Sequence, residues 1–237
     1  MSDVFLFFKT NWANLLAITW FFVLFRGYAM YASRAAKTTH CLASVMHRYR
    51  LEWMEYLLER DVRIGDTNTI ANLERSVAFF ASTTMLILAG LITVMGSSAK
   101  AIDVISDIPF VSPATTAEWE MKLLLLVILF VYAFFKFTWS LRQYGFASVM
   151  IGGTPMPDAE MSPQARKAFA IRNANMMSLA ANNFNTGLRT YYFCIAVLGW
   201  FVNPLVFMVM SLGITLVLYR REFKSRTLSE MMVSRSE

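Results

Sequence analysis

The sequence has few charged residues and few of the residue types from which catalytic and metal sites are built. Charged side chains make up 16% of its 237 residues, whereas soluble domains carry about 25%. Its two cysteines, Cys41 and Cys194, lie too far apart in the chain to indicate a disulfide framework or a zinc site. The sequence also lacks a nucleophile elbow, a phosphate-binding loop and a dinucleotide-binding glycine motif. We therefore expect neither an enzyme nor a bound metal or cofactor.

The sequence instead contains long apolar runs. Hydrophobic residues make up 57% of the chain, and four runs approach the ~20 residues that a helix needs to cross a bilayer. Backbone groups in lipid must be satisfied within their own segment, and the alternating pattern of a β-barrel is absent. The sequence thus predicts an all-α integral membrane bundle, a single domain over residues 1–237. Its four predicted spans are residues 12–32, 77–97, 121–141 and 191–219.

Positive charge lies beside the apolar runs. The net charge of +6 is therefore better explained by topology and anionic lipid headgroups than by nucleic acid, which we exclude as a partner. The segments after spans one and three are basic, while the segment between spans two and three is acidic. By the positive-inside rule the basic segments face the cytoplasm of a bacterial inner-membrane protein. They are expected to contain helices over about 33–60, continuing the first span, and about 163–188.

The C-terminal tail conflicts with this topology. It begins with Arg220 and Arg221 and should lie inside, but four simple crossings place it outside. Pro204 interrupts the fourth run, and a proline inside a helix kinks or breaks it. Either the run is one long kinked helix, or it is a broken, re-entrant hairpin that returns the tail to the inside. The sequence favours the kinked helix narrowly.

Two polar stripes are the most informative feature of the spans. The first recurs every seven residues from Thr19 to His47 and lies on one face if the first helix is continuous; the second follows span three. A charge inside the bilayer is costly unless it snorkels to the headgroups, pairs or lines water. The stripes therefore indicate either a hydrated, cation-lined pathway for anions or snorkelling side chains. The pathway candidates are Arg26, Ser33, His40, His47, Lys136 and Ser140.

The two histidines do not predict a metal site. His40 and His47 share a face of a continuous helix but would be separated by ~10 Å along its axis. They cannot chelate one ion, and no metal-ligand spacing accompanies them.

Two further patterns concern helix contacts. Small residues on one face of span two let helices approach closely in lipid and predict a packing face. Polar residues just before the fourth run suit helix capping and anchoring at the interface, or contact with a ligand. The packing face comprises Ser76, Thr83, Gly90, Thr93 and Ser97, and the polar residues are Asn183, Asn185 and Arg189.

Four stretches of the chain resemble a known family. They are residues 50–54, the sequence FFASTTMLILAG from Phe79 to Gly90, NFNTGLRTYYF from Asn183 to Phe193, and YRREFKS from Tyr219 to Ser225. In these stretches the chain resembles the bacterial and plant membrane proteins grouped as domain of unknown function family 599. The resemblance implies a multi-span membrane protein and supplies no catalytic residues.

The leading functional hypothesis is a homo-oligomeric, channel-like or transport-like protein with a cation-lined pathway. Four spans with two polar stripes enclose a pathway most easily between several subunits. The alternative is a structural or accessory subunit of a larger membrane complex, which the small-residue face would suit. The expected partners are anionic lipids together with further copies of the chain or other membrane subunits.

Overall fold

All regular structure in the described residues is helical, as the sequence predicted. The computed structural model describes the backbone of residues 2–97 and 115–233 and the side chains of residues 11–97 and 115–232. The acidic stretch 98–114, expected on the side opposite the basic segments, lies outside these residues. The helices are α1 (Ser2–Thr38), α2 (Leu42–Leu57), α3 (Ile64–Met95), α4 (Thr116–Gly152), α5 (Pro163–Val202), α6 (Pro204–Phe223) and α7 (Arg226–Val233).

Four of these segments are long and apolar enough to cross a membrane. They contain the first and third predicted spans, all but the last two residues of the second, and residues 204–219 of the fourth, and each is longer than the ~20 residues required. Within the described residues, the four segments are Asn11–Thr38, Ile64–Met95, Thr116–Gly152 and Pro204–Met232.

Helices α4 and α5 pack antiparallel over nearly their whole length. The Trp119 and Phe201 rings meet near one end, with centroids 4.6 Å apart. At mid-height, Ser140 Oγ donates a hydrogen bond to the Ala180 carbonyl at 2.7 Å. Helix α3 also packs against α4, and Arg63, just before the start of α3, donates from its guanidinium to the Thr154 carbonyl. Helix α4 therefore packs against both α3 and α5.

The fourth predicted run is broken at Asn203, and its two halves fold back on each other. Tyr192 and Arg221 are 29 positions apart, yet their side chains are joined by a hydrogen bond of 2.9 Å. One continuous helix would separate them by about 43 Å. Asn203 caps α6 by accepting from the Val206 N–H at 2.8 Å, and Pro204 occupies the first helical position, where its missing donor costs nothing. The break at Pro204 is confirmed, but the kinked helix that we favoured is wrong: the two halves form a hairpin.

The hairpin brings several helix ends together. Asn14, near the start of the described part of α1, accepts from the Trp200 indole N–H at 2.9 Å and donates to Glu118 at 3.5 Å. The starts of α1 and α4 therefore lie beside the end of α5, and we call this the opposite end. The end of α1, α2 and the end of α6 lie together at the other end of the bundle, which we call the basic end.

The first helix continues beyond its apolar run only to Thr38. The chain is extended at Cys41, whose backbone N–H donates to Ser44 Oγ at 3.0 Å, and α2 then begins as a separate helix packed on α5. The seven-residue stripe therefore does not lie on one continuous helix, because α1 ends at Thr38 and His47 lies on α2.

Candidate functional site

A cleft of about 690 Å³ opens at the basic end between α1, α2, α5 and α6. Each helix contributes small or polar side chains to the cleft. Its polar lining consists of Ser33, Lys37, Ser44, His47, Asn175, Ser178, Asn182, Thr186, Arg189 and Glu222.

Two cations in the cleft have no carboxylate partner. Arg189 is half-buried and its guanidinium lies 5.8 Å from the centroid of the Tyr28 ring, while Lys37 is exposed. Within the described residues neither forms an ion pair. The acid of the cleft, Glu222, accepts a hydrogen bond from the Ala43 backbone N–H at 3.1 Å, so that one of its oxygens is already occupied. The cleft thus retains positive charge.

The wall formed by α2 and α5 contains a third cation and hydrogen-bonding groups. His47 Nδ1 and Ser178 Oγ are 2.9 Å apart, and the Arg50 guanidinium donates to the same Ser178 Oγ at 3.4 Å. Burial lowers the pKa of Arg50, and the neighbouring Tyr144 hydroxyl counteracts this shift. An arginine remains charged under such conditions, so Arg50 adds a fixed positive charge behind the His47 side of the cleft.

Only part of the predicted pathway converges on this cleft. Ser33 and His47 line it, whereas Arg26 is exposed and lies outside its lining. His40 also lies outside the cleft, where its Nδ1 is 3.0 Å from an Arg48 nitrogen. Only part of the predicted stripe thus belongs to the cleft.

The stripe on α4 is used in packing against α5. Lys136 donates to the Asn183 side-chain oxygen at 3.2 Å and lies over the Tyr132 ring. The Asn183 amide in turn donates to Gln143 at 2.8 Å, and Ser140 is fully buried. These polar groups thus connect α4 to α5, and whether they also line a pathway stays a prediction.

The three polar residues predicted before the fourth run lie in the interior of α5. Because α5 is continuous from Pro163 to Val202, Asn183, Asn185 and Arg189 cannot cap a helix. Asn183 connects α4 to α5 and Arg189 lines the cleft. Asn185 is half-buried and lies outside the cleft.

The predicted packing face of α3 points away from the bundle. Within the chain, α3 packs through another face that includes Val77 and Leu88. A Cβ added at Gly90 would meet no atom within 4 Å. Of the five predicted residues, Thr83 is half-exposed. The other four are exposed, namely Ser76, Gly90, Thr93 and Ser97.

Sequence reasoning missed much of the cleft, although a signal for it exists. Asn175, Ser178, Asn182, Thr186 and Arg189 recur at intervals of three and four, which places them on one face of a helix. No motif draws attention to Lys37 or Glu222, which reach the cleft only through tertiary packing. In the described ranges, no three His, Cys, Asp or Glu side chains lie close enough together to hold a metal ion.

The fold and cleft define an all-helical membrane protein with a cationic cleft at one end of its bundle. The family described as "Protein of unknown function, DUF599" matches residues 16–227, and the chain belongs to this family. No curated protein matches the chain, and neither does any solved structure.

Proposed function

We propose that the protein is a transport-like protein of the bacterial inner membrane that takes an anionic solute into the cleft at its basic end. The observation that carries the proposal is that Lys37 and Arg189 line a cleft of about 690 Å³ without a carboxylate partner among the described residues. Cations near a low-dielectric wall attract anions strongly. The proposal assigns binding and passage to the cleft, and no catalytic step.

The residues of the cleft suit a small phosphate or carboxylate. A guanidinium presents donors in a planar fork that matches either group, and Arg189 is held against an aromatic ring. Asn182 and Ser178 add side-chain donors on the same helix face. Hydrogen bonds to a charged group are worth about 1.5–3 kcal/mol each, so one or two of them provide selectivity for anions over neutral solutes.

Passage across the membrane requires more than one subunit in this proposal. The α4 stripe is engaged with α5, so a pathway through the middle of one chain would have to break those contacts. Arg26 is exposed and forms no hydrogen bond or ion pair with the described residues, so it is available to line a pathway between neighbouring copies. The proposed assembly is therefore a homo-oligomer with its basic end in the cytoplasm, in contact with anionic headgroups.

Anion binding and flux test the proposal. Protein in lipid nanodiscs is titrated with inorganic phosphate and with succinate, and proteoliposomes are assayed for uptake of the same labelled anions. Lys37→Gln and Arg189→Gln should each weaken binding about 10-fold or more, as expected for a lost charge-assisted bond. Arg172→Gln removes an exposed arginine of α5 outside the cleft and should bind like the unaltered protein.

The titration separates the possible outcomes. If neither anion binds, or if all three variants lose affinity equally, the cleft is not an anion site. If binding follows the prediction but no labelled anion crosses the membrane, the transport part of the proposal fails.

A second candidate is a structural or accessory subunit. The outward face of α3, with open space at Gly90, favours close contact with another membrane helix. Stoichiometric association with different proteins after gentle extraction would support this function. A single species containing only this chain would support the transport-like oligomer.

A further inference from the structure

A groove on the surface of the bundle lies outside the cleft, on another face of α1. It has a volume of about 360 Å³ and runs between α1 and α6. Its lining is apolar except for one threonine and the hydroxyl groups of its tyrosines. The residues are Val23, Leu24, Gly27, Tyr28, Tyr31, Thr215, Leu216 and Tyr219.

The groove continues toward the basic end into a second cavity of about 400 Å³. The two share Gly27 and Tyr31, and the second adds Arg34, Thr38 and Thr39. Together they follow α1 from Val23 to Thr39, which is about 24 Å at 1.5 Å per residue. The surface therefore changes along one line from apolar, through aromatic, to cationic.

Glycine keeps the groove open, and the tyrosines mark its headgroup end. A Cβ at Gly27 would meet no heavy atom within 4 Å, so this position borders empty space. The Tyr31 ring packs against Tyr219 at 6.1 Å and against Phe223 at 5.5 Å. Lys224 lies over the Tyr219 ring at 5.9 Å. Tyrosines and basic residues at this level are typical of the interface between hydrocarbon and headgroups.

We propose that this groove binds one phospholipid with an anionic headgroup. Its acyl chain lies along Val23, Gly27 and Leu216, and its phosphate is held at Arg34 beside the hydroxyls of Thr38 and Thr39. The order of the chemical groups along the groove is that of a lipid in the leaflet at the basic end. Van der Waals packing against the apolar part of the groove holds the acyl chain, and Arg34 selects an anionic headgroup. The groove shares no lining residue with the solute cleft.

Native mass spectrometry of the purified full chain tests the proposal. Protein extracted in mild detergent is titrated with phosphatidylglycerol and, separately, with phosphatidylcholine. The unaltered chain should retain one phosphatidylglycerol at a concentration at which phosphatidylcholine is not retained. Gly27→Leu fills the groove and Arg34→Gln removes its cation, and each should reduce the occupancy about 10-fold.

Matched controls make the result decisive. Gly213→Leu adds the same side chain to α6 at an exposed glycine, where an added Cβ would meet no heavy atom within 4 Å, and it should keep the lipid. Arg189→Gln, in the cleft, should also keep the lipid, which separates this site from the solute site. Equal retention of both lipids, or equal occupancy in Gly27→Leu and Gly213→Leu, would mean non-specific annular lipid and would overturn the proposal.

Discussion

Helices α4 and α5 approach each other closely at Gly187, and an alanine there should destabilise the bundle. A Cβ at Gly187 would overlap the Phe137 ring, lying 2.7 Å from Cζ and 2.8 Å from Cδ1. The ring cannot turn away easily, because Phe137 is fully buried and packs against Phe80 and Tyr191 with centroids 5.6 and 5.5 Å away. Forcing one extra carbon into such a core costs about 1–3 kcal/mol.

The helix propensity of alanine must be separated from this cost. Replacing glycine by alanine inside a helix gains about 0.8–1 kcal/mol, which would hide part of the overlap. Gly213→Ala makes the same change in α6 at a position with open space, so the gain cancels when the two variants are compared. Gly187→Ala should therefore be less stable than Gly213→Ala by about 1–3 kcal/mol.

Reversible unfolding of the protein by SDS in mixed micelles measures this difference. Adding Phe137→Leu to Gly187→Ala makes room for the new methyl group, so the double variant should lose less stability than the two single changes together. Equal unfolding free energies for Gly187→Ala and Gly213→Ala would refute the α4–α5 packing described above.

Three further predictions concern topology, the link between α2 and α3, and assembly. With both native cysteines replaced by serine, cysteines placed at Asn203 and at Ser225 should react with a membrane-impermeant thiol reagent from opposite sides; labelling from the same side would contradict the hairpin. Asp66 is 3% exposed and accepts two hydrogen bonds of 2.6 Å, so Asp66→Ala should cost about 2–3 kcal/mol. Asp61→Ala, at an exposed position, should change the unfolding free energy little, and a similar loss in both variants would argue against the buried contact. Gly90→Leu should shift the native mass in detergent to a smaller species if α3 is a subunit contact, and an unchanged mass would exclude that face.

The sequence predicted the fold class and the first three spans because those properties depend on local composition. Apolar runs of sufficient length must form helices in lipid whatever their neighbours are. Pro204 likewise predicted a break in the fourth apolar run, because a proline removes a backbone hydrogen-bond donor from a helix. Whether the two halves of the run continue in one direction or fold back depends on contacts such as Tyr192 with Arg221, and those residues are too far apart for periodicity to relate them.

The candidate site was harder to predict because it is assembled from four helices. The seven-residue spacing from Arg26 to His47 was real in the sequence, but the cap at Cys41 separates its members onto two helices. No glycine or proline marks the end of α1. The only local sign of the break is Ser44, whose side chain accepts a hydrogen bond from the Cys41 N–H. Lys136 suggested a pathway because a buried cation is costly, but its contact with Asn183 cannot be recognised without knowing how α4 and α5 pair.

The order of the helices in space differs from their order along the chain. Helices α3, α4, α5 and α6 follow one another as neighbours, and α1 packs mainly on α6, at the end of this row. Helix α1 is made before α6 and therefore meets its main neighbour only after α3, α4 and α5 have been made. A chain truncated before Pro204 would keep contacts such as that of Asn14 with Trp200 but would lack the surface of α6 on which α1 mainly packs. Loss of α6 should therefore loosen α1 as well.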